Sequence, residues 1–372
     1  MADNGNSTPN RYARQVILPG FGADSQARLT AARVLVIGAG GLGSSVVPAL
    51  AAAGIGTIGI IDDDTVETTN LHRQYLHSPA DVGRSKVASA ADSVAALNPD
   101  VVVRAHDARL SSQNALALFA EYDLVLDGSD NFVTRYLTND AATITGIPLV
   151  WGAVSQYAGQ VGVSWAARGP QYRDLFPTPP PPGTVPSCAV GGVLPTVCAV
   201  IGSVMATETI KILTGIGAPL IGRVTTFDAL SGGFRELSYE RDPSATPITH
   251  LIDYELFCGI TPARDTVAPD ELADELERGV PLVLLDVRET WEAEIATLPG
   301  ASLLPLGSLE SALENGFTDL DPTDPIVVYC HHGVRSATAL ETLERFGFTN
   351  VRHLEGGLDA WSRTVDPTLA RY

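Results

Sequence analysis

The stretch that decides the fold begins R-V-L-V-I-G-A-G-G-L-G-S-S at Arg33 and closes I-I-D-D-D-T-V-E-T-T-N-L-H-R at Arg73. Residues 34–37 are apolar and mostly β-branched, which predicts a buried strand. Gly38, Gly40, Gly41 and Gly43 break that strand, and the small residues at 44–53 predict a helix. A second apolar run, 58–61, ends in three aspartates. Strand, glycine turn, helix and strand form a βαβ nucleotide-binding unit. Its glycines let the backbone approach phosphates at the helix N-terminus, and a carboxylate takes ribose hydroxyls. Gly38, Gly40 and Gly43 satisfy G-x-G-x-x-G, and Asp62 lies 24 residues after Gly38. The unit predicts a nucleotide without saying which one.

Outward from this stretch, strands and helices alternate. Helices are predicted over 85–97, 112–120 and 131–145, and strands over 101–105, 122–127 and 149–154. That order predicts an α/β, Rossmann-like doubly wound sheet. Strands over 161–166 and 222–227 would make it mixed, and residues 11–30 read as a helical lead-in. The segment 176–186, F-P-T-P-P-P-P-G-T-V-P, is excluded from helix and central strand by its prolines. Residues 194–213 follow as a long helix. The uncharged run 189–206 reaches the length of a membrane span, but its glycines, Pro195, Thr196 and Ser203 favour a buried helix and no membrane.

Composition turns polar around 240–269, which predicts a linker, and a second α/β pattern then starts. Helices over 271–278 and 336–346 and strands over 282–287, 326–329 and 351–354 belong to it. The expected organisation is one domain over 11–245, a linker over 246–268 and a second domain over 269–368, consistent with 372 residues exceeding one core.

The formal charge of −19 repels phosphate backbones, so nucleic acid is not expected as a partner. The N-terminal residues lack the pattern of a signal peptide, and none of the four cysteines forms C-x-x-C. A reducing, cytoplasmic setting is therefore expected. Only Lys86 and Lys211 stand beside 22 arginines, which singles out both lysines.

Phosphoryl chemistry needs cations near the triphosphate and a carboxylate for Mg²⁺. Arg14, Arg73 and Lys86 can supply the cations and Asp130 the carboxylate. Each has a plainer alternative: Arg73 in a surface ion pair, Lys86 as a solvated helix residue, Asp130 as a helix N-cap. On these residues alone a nicotinamide dehydrogenase remains open. In the second half, Cys330 follows a strand and enters H-H-G-V-R-S before a helix. Such a turn gathers N–H groups and the positive end of the helix dipole around the sulfur, which favours a thiolate. Arg335 either adds a cation there or braces the turn. The spacing from Cys330 to Arg335 is one residue shorter than the phosphatase pattern C-x₅-R and suits sulfur better than phosphate.

Six ordered motifs then carry a resemblance. R-Y-A-R-Q-V-I-L-P-G-F at 11–21, G-A-G-G-L-G at 38–43, I-D-D-D-T-V at 61–66, N-L-H-R-Q at 70–74, V-G-R-S-K at 82–86 and D-G-S-D-N at 127–131 resemble the ubiquitin-activating-like adenylyltransferases of molybdopterin and thiamine synthesis. The resemblance covers about 11–260. It implies that ATP is held by Gly41, Asp62, Asn70, Leu71, His72, Arg73, Lys86, Asp130 and Asn131. Asp130 serves Mg²⁺, and Arg14 reaches the ATP of a partner subunit in a homodimer. The implied substrate is a ubiquitin-like sulfur-carrier protein ending in Gly-Gly, whose carboxylate becomes an acyl-AMP.

Cys330 to Ser336, with D-V-R-E at 286–289, L-P-G-A at 298–301 and E-G-G-L-D-A-W at 355–361, resembles a rhodanese sulfurtransferase domain. That implies a persulfide on Cys330, loaded by a cysteine desulfurase or thiosulfate, and a thiocarboxylate product. The carrier would feed molybdenum cofactor, cysteine or thiamine synthesis. The alternative is adenylation alone, with the second domain as a docking module. Cys188 is a candidate second thiol or a buried helix-start residue, and Cys198 reads as core. One departure stands out. Where many relatives carry the first C-x-x-C of a structural zinc site, this chain has Gln171-Tyr172-Arg173-Asp174, so no zinc is expected.

Overall fold

The computed structural model describes residues 11–180, 191–258, 266–316 and 320–370. They separate into two compact units, with the break after Cys258.

The first unit is built on an eight-stranded sheet. Its strands are β1 (Arg33–Ile37), β2 (Thr57–Asp62), β3 (Val102–Asp107), β4 (Leu124–Asp127), β5 (Leu149–Ser155), β6 (Ala158–Ser164), β7 (Arg223–Asp228) and β8 (Gly233–Ser238). They lie in the order β3-β2-β1-β4-β5-β6-β7-β8. The first five are parallel and the last three antiparallel, so the sheet is mixed as expected. β1 and β2 read as continuous apolar runs because both of their faces are covered. β8 was not anticipated. It is an edge strand, G-F-R-E-L-S, exposed along nearly its whole length, and lacks the alternation that marks a half-buried strand.

The strand order reverses between β1 and β4, which lie side by side with Ile37 opposite Asp127. The glycine turn after β1 and the D-G-S-D-N turn after β4 therefore share one crevice at the carboxyl edge, where ligands bind in such sheets. The expected lead-in helix over 11–30 is two helices, Ala13–Val16 and Gly22–Ala31, parted by Pro19 and Gly20. The helix Pro195–Thr214 is long and apolar enough to cross a membrane. It packs instead on β5, β6 and the helix Gly43–Ala53, burying Val197, Cys198, Ile201, Met205 and Ala206. Cys198 is thus a core residue.

Residues 251–258, within the expected linker, belong instead to the first unit, because L-I-D-Y-E-L-F-C is an apolar stretch inside polar flanks. Tyr254 and Cys258 are buried in its core, with Leu251, Ile252 and Phe257 packed against them. Burial pushes the Cys258 thiol up to about 11 against the pull of Arg173.

The second unit has five parallel strands: β9 (Thr266–Val267), β10 (Val283–Asp286), β11 (Ser302–Leu303), β12 (Ile326–Tyr329) and β13 (Val351–Leu354), in the order β11-β10-β12-β13-β9. β12 is central and fully buried, so its last residue delivers Cys330 to the middle of the sheet edge. The helices Thr290–Ile295, Leu306–Glu314 and Gly357–Thr364 were not anticipated. The first is only six residues long, too short for a periodic signal.

Candidate active site

The glycine turn is a close-packed device. At Gly38 φ is +89°, and a side chain at Gly43 would place its Cβ 2.2 Å from the Gly38 carbonyl oxygen. A side chain at Gly41 would meet the Cys198 sulfur at 2.9 Å. The helix Gly43–Ala53 can approach β1 only because these positions carry no Cβ.

Asp62, at the end of β2, braces the turn from the other side. One of its carboxylate oxygens accepts the Ala39 N–H at 2.7 Å and the other the Asp64 N–H at 2.9 Å. Burial raises its pKa, opposed by the nearby Lys86 charge and these N–H groups. Lys86 is buried at the start of the helix Lys86–Leu97, with its Nζ 2.7 Å from Asp64. The plainer alternative, a solvated helix lysine, does not hold.

Asn70, Leu71, His72 and Arg73 form one turn. Arg73 donates to Asn70 Oδ1 at 2.9 Å and to the Thr69 carbonyl at 3.3 Å, and its Cδ would lie 3.8 Å from a Cβ on Gly41. The Asn70–Arg73 turn therefore faces the glycine turn. Partial burial, and then the Arg73 charge, hold His72 below the usual histidine range.

After β4, Asn131 is the N-cap of the helix Phe132–Thr145, accepting the Thr134 N–H at 2.8 Å. The capping role considered for Asp130 thus belongs to its neighbour, whose extended backbone aims its side chain at the first turn. Asp130 is exposed, and among the described residues no hydrogen bond or ion pair engages it. Mg²⁺ takes oxygen ligands and is usually held by one or two carboxylates together with substrate phosphates. Asp130, at the crevice edge, fits that demand.

Three residues of this site were not singled out from the sequence. His77 is buried and bridges Ser89 Oγ at 2.9 Å and the Ala39 carbonyl at 3.0 Å, so it holds the glycine turn onto the helix Lys86–Leu97. Arg135 is buried and donates to the Ser129 carbonyl at 3.0 Å. Asp127 is wholly buried, accepts the Ser129 N–H at 2.9 Å, and has its pKa raised by burial despite Arg135. Only the last had a signal, as the first residue of D-G-S-D-N.

Arg14 is exposed on the short helix Ala13–Val16, beside the exposed Ile17 and Leu18. Lys211, the other lysine, pairs with the buried Glu208 at 2.5 Å and donates to the Ala218 carbonyl. It closes the end of a helix and lies away from the glycine turn.

The place expected to lack zinc is filled by a polar network. Arg173 forks onto Asp140 at 2.5 and 2.8 Å, and Tyr254 donates to Asp140 at 2.8 Å. Asn139 ties Gln171 and the Tyr172 N–H, and the Arg173 guanidinium lies 4.4 Å from the Phe257 ring centre. These donors are amide, guanidinium and carboxylate groups already satisfying one another, a poor match to a thiolate-preferring tetrahedral ion.

In the second unit, Cys330 is buried and the Gly333 N–H points at its sulfur at 3.1 Å. The thiol lies 3.6 Å from Ser336 Oγ, which itself donates to the Gly333 carbonyl at 2.9 Å. Gly333 has φ +87° and caps the helix Val334–Arg345, so the turn aims the helix N-terminus at the sulfur. Of the two roles considered for Arg335, the geometry is that of a brace: it grips Glu292 with two bonds of 2.6 Å. Burial opposes ionisation of Glu292, but the Arg335 bonds outweigh it and hold the carboxyl at about 2. Arg288 and Asp286 form a second, fully buried pair beneath the turn. Burial, reinforced by the His332 charge, keeps His331 down at about 4 despite Asp359. Cys188 lies outside the described residues.

Residues 12–247 match the ThiF family, and residues 268–364 match the rhodanese-like domain. This chain belongs to the ThiF family. Its similarity extends over both domains to the probable adenylyltransferase/sulfurtransferase MoeZ of Mycobacterium tuberculosis, 49% identical over 97% of this chain and 95% of that protein. The adenylyltransferase and sulfurtransferase MOCS3 of Drosophila yakuba is 42% identical over 97% of this chain and 84% of its own length. A sulfur carrier protein adenylyltransferase of Thermus thermophilus, 50% identical, spans 68% of this chain and 97% of itself. Among solved structures, E. coli MccB with ATP superposes with a TM-score of 0.57 at 22% identity, covering 66% of this chain and 75% of that one. That likeness shares the fold of a ThiF domain. This ThiF-family chain is an enzyme with an adenylyltransferase domain and a sulfurtransferase domain, which is the pairing expected from its motifs.

Proposed function

We propose that this enzyme adenylates the C-terminal glycine carboxylate of a ubiquitin-like sulfur carrier ending in Gly-Gly and then converts it to a thiocarboxylate. Adenylation is assigned to the first unit, 11–258, and sulfur transfer to the second, 266–368. In the first step a carboxylate oxygen attacks the α-phosphorus of ATP, pyrophosphate leaves, and an acyl-AMP forms. A carboxylate oxygen is a poor leaving group, and AMP is a good one. Gly41, Asp62, Asn70, Leu71, His72, Arg73, Lys86 and Asn131 surround the nucleotide in this reading, and Asp130 holds Mg²⁺, which neutralises phosphate charge when bound. Positioning of the carrier tail against ATP supplies much of the rate.

In the second step the terminal sulfur of a Cys330 persulfide attacks the acyl carbon and AMP leaves. The carrier is then joined to Cys330 through an acyl disulfide. Attack by a thiol on the Cys330 sulfur releases the thiocarboxylate and leaves a disulfide for a reductant to reopen; Cys188 is our candidate for that thiol. The sulfur donor is a cysteine desulfurase or thiosulfate. The product serves molybdenum cofactor, cysteine or thiamine synthesis in the cytoplasm.

We further propose a homodimer in which Arg14 completes the partner's ATP site, since Ile17 and Leu18 beside it present apolar surface at 69% and 53% exposure. The Asp140–Arg173–Tyr254 network does the bracing that zinc performs elsewhere. What supports the whole reading most is the exposed, unengaged Asp130 carboxylate in the same crevice as a buried lysine and a glycine turn.

The test is isotope exchange between pyrophosphate and ATP, stimulated by a Gly-Gly carrier. Exchange is expected; tight NAD binding without exchange would point to a dehydrogenase. In Cys330→Ser, adenylate is expected to form with no thiocarboxylate, and surviving sulfur transfer would remove Cys330 from the second step.

A further inference from the structure

His331, His332 and Asp359 each offer one ligand atom, and these atoms all lie within 4.8 Å of one another. His332 Nδ1 is 3.9 Å from Asp359 Oδ2, and the two imidazoles meet edge to face with ring centres 4.1 Å apart. The main chain holds this group together. The Leu358 N–H donates to the Cys330 carbonyl at 2.8 Å and the Asp359 N–H to the His331 carbonyl at 2.9 Å. The start of the helix Gly357–Thr364 is thereby strapped to the cysteine turn. A Cβ on Gly357 would sit 2.5 Å from the Cys330 carbonyl oxygen, a measure of how close the strap lies.

We propose that His331, His332 and Asp359 form a binding site for a borderline divalent cation, zinc foremost, and that its occupation suppresses sulfur transfer at Cys330. Two imidazoles and one carboxylate select zinc, copper or nickel over magnesium and calcium, which prefer oxygen ligands alone. Three protein ligands leave the fourth tetrahedral position open. Zinc–nitrogen bonds of about 2.0–2.1 Å require donors roughly 3.4 Å apart, so a separation of up to 4.8 Å must close by as much as about 1.4 Å. The exposed His332 is free to rotate by that amount. Asp359 is shared, since Arg363 Nε lies 3.0 Å from its Oδ2, and a single carboxylate oxygen suffices for the ion.

Both histidines follow Cys330 in its own turn. A cation on them, with Asp359 strapped to the same turn, fixes the turn that presents the sulfur, and a turn that cannot adjust slows transfer to and from Cys330. Binding stands independently of the proposed reaction; the suppression rests on it.

The experiment uses the full chain, stripped with chelator and titrated with Zn²⁺ against a chromogenic competitor, and with Co²⁺ followed by visible absorption. Wild type is expected to bind one zinc at the site and to give a four-coordinate Co²⁺ spectrum. His332→Ala and Asp359→Asn are each expected to weaken binding by at least about 100-fold, beyond the 10–100-fold that loss of an outer hydrogen-bond partner costs. Asp359→Asn preserves shape, so loss of binding there with an unchanged melting curve is not a loss of fold. Zinc should depress sulfur transfer in wild type at concentrations that leave both variants unaffected. Unchanged affinity in both variants overturns the site, as does binding abolished by Cys330→Ser alone. Binding lost in both variants with zinc-insensitive sulfur transfer in wild type overturns the suppression.

Discussion

Replacing Glu292 by Gln tests whether Arg335 braces the cysteine turn or acts on sulfur. Glu292 is 4% exposed, and both of its carboxylate oxygens are held by Arg335 at 2.6 Å. A carboxyl held at about 2 instead of 4.5 is worth about 3 kcal/mol of stability at neutral pH. Breaking a buried pair from one side independently costs about 3–5 kcal/mol, because the other charge stays buried. The two routes agree. The folded pKa is depressed, so this stability is present above pH 4.5 and is lost as pH falls toward 2. The assay is urea unfolding of the full chain followed by hydrogen exchange of peptides from 283–354, which isolates the second unit. Glu292→Gln should lose about 3 kcal/mol at pH 7, and the loss should vanish near pH 2. Combined with Arg335→Gln, the double-mutant cycle should give a coupling above about 1.5 kcal/mol. Coupling below about 0.5 kcal/mol, the level of an exposed pair, would refute the brace and return Arg335 to the sulfur.

Asp130→Ala should abolish pyrophosphate–ATP exchange and change stability by less than about 0.5 kcal/mol, because this exposed carboxylate has no partner among the described residues; exchange retained at a tenth of wild type would move the metal elsewhere. Gly43→Ala forces a Cβ to 2.2 Å from the Gly38 carbonyl oxygen, so ATP affinity, read by calorimetry, should fall by more than tenfold. Chelator should leave the melting temperature of the first unit unchanged, whereas Arg173→Met strands the 2%-exposed Asp140 side chain and should cost that unit about 3 kcal/mol by chemical unfolding. A chelator-sensitive melt would show that a metal does the bracing after all.

What the sequence made legible were features whose cause is local. The glycine turn announces itself because its close contacts, Gly38 with Gly43 and with Gly128, depend on missing side chains. The cysteine turn does the same, since strand, Cys330, Gly333 and helix are contiguous. The long-range contacts that hold the first unit together were not legible. His77 reaches the carbonyl of Ala39, 38 positions away, and Tyr254 reaches Asp140 across 114. A lone buried histidine, or a lone tyrosine, carries no spacing that separates it from any other.

Arg335 shows why composition near a reactive residue cannot assign a role. An arginine five residues after a cysteine looks like a cation for the sulfur until its partner is known, and that partner lies 43 residues upstream on a helix of six residues. Lys86 teaches the converse. Its scarcity among 22 arginines marked it, but only burial against Asp64 explains why a lysine stands there. A compact ammonium on a flexible stem can turn from Asp64 toward an arriving phosphate, whereas a guanidinium forked on one carboxylate is fixed by its geometry. Three buried carboxylates, Asp140, Asp286 and Glu292, are each gripped at both oxygens by an arginine. In the ATP site proposed above, Lys86 is the cation that releases its partner when the nucleotide binds.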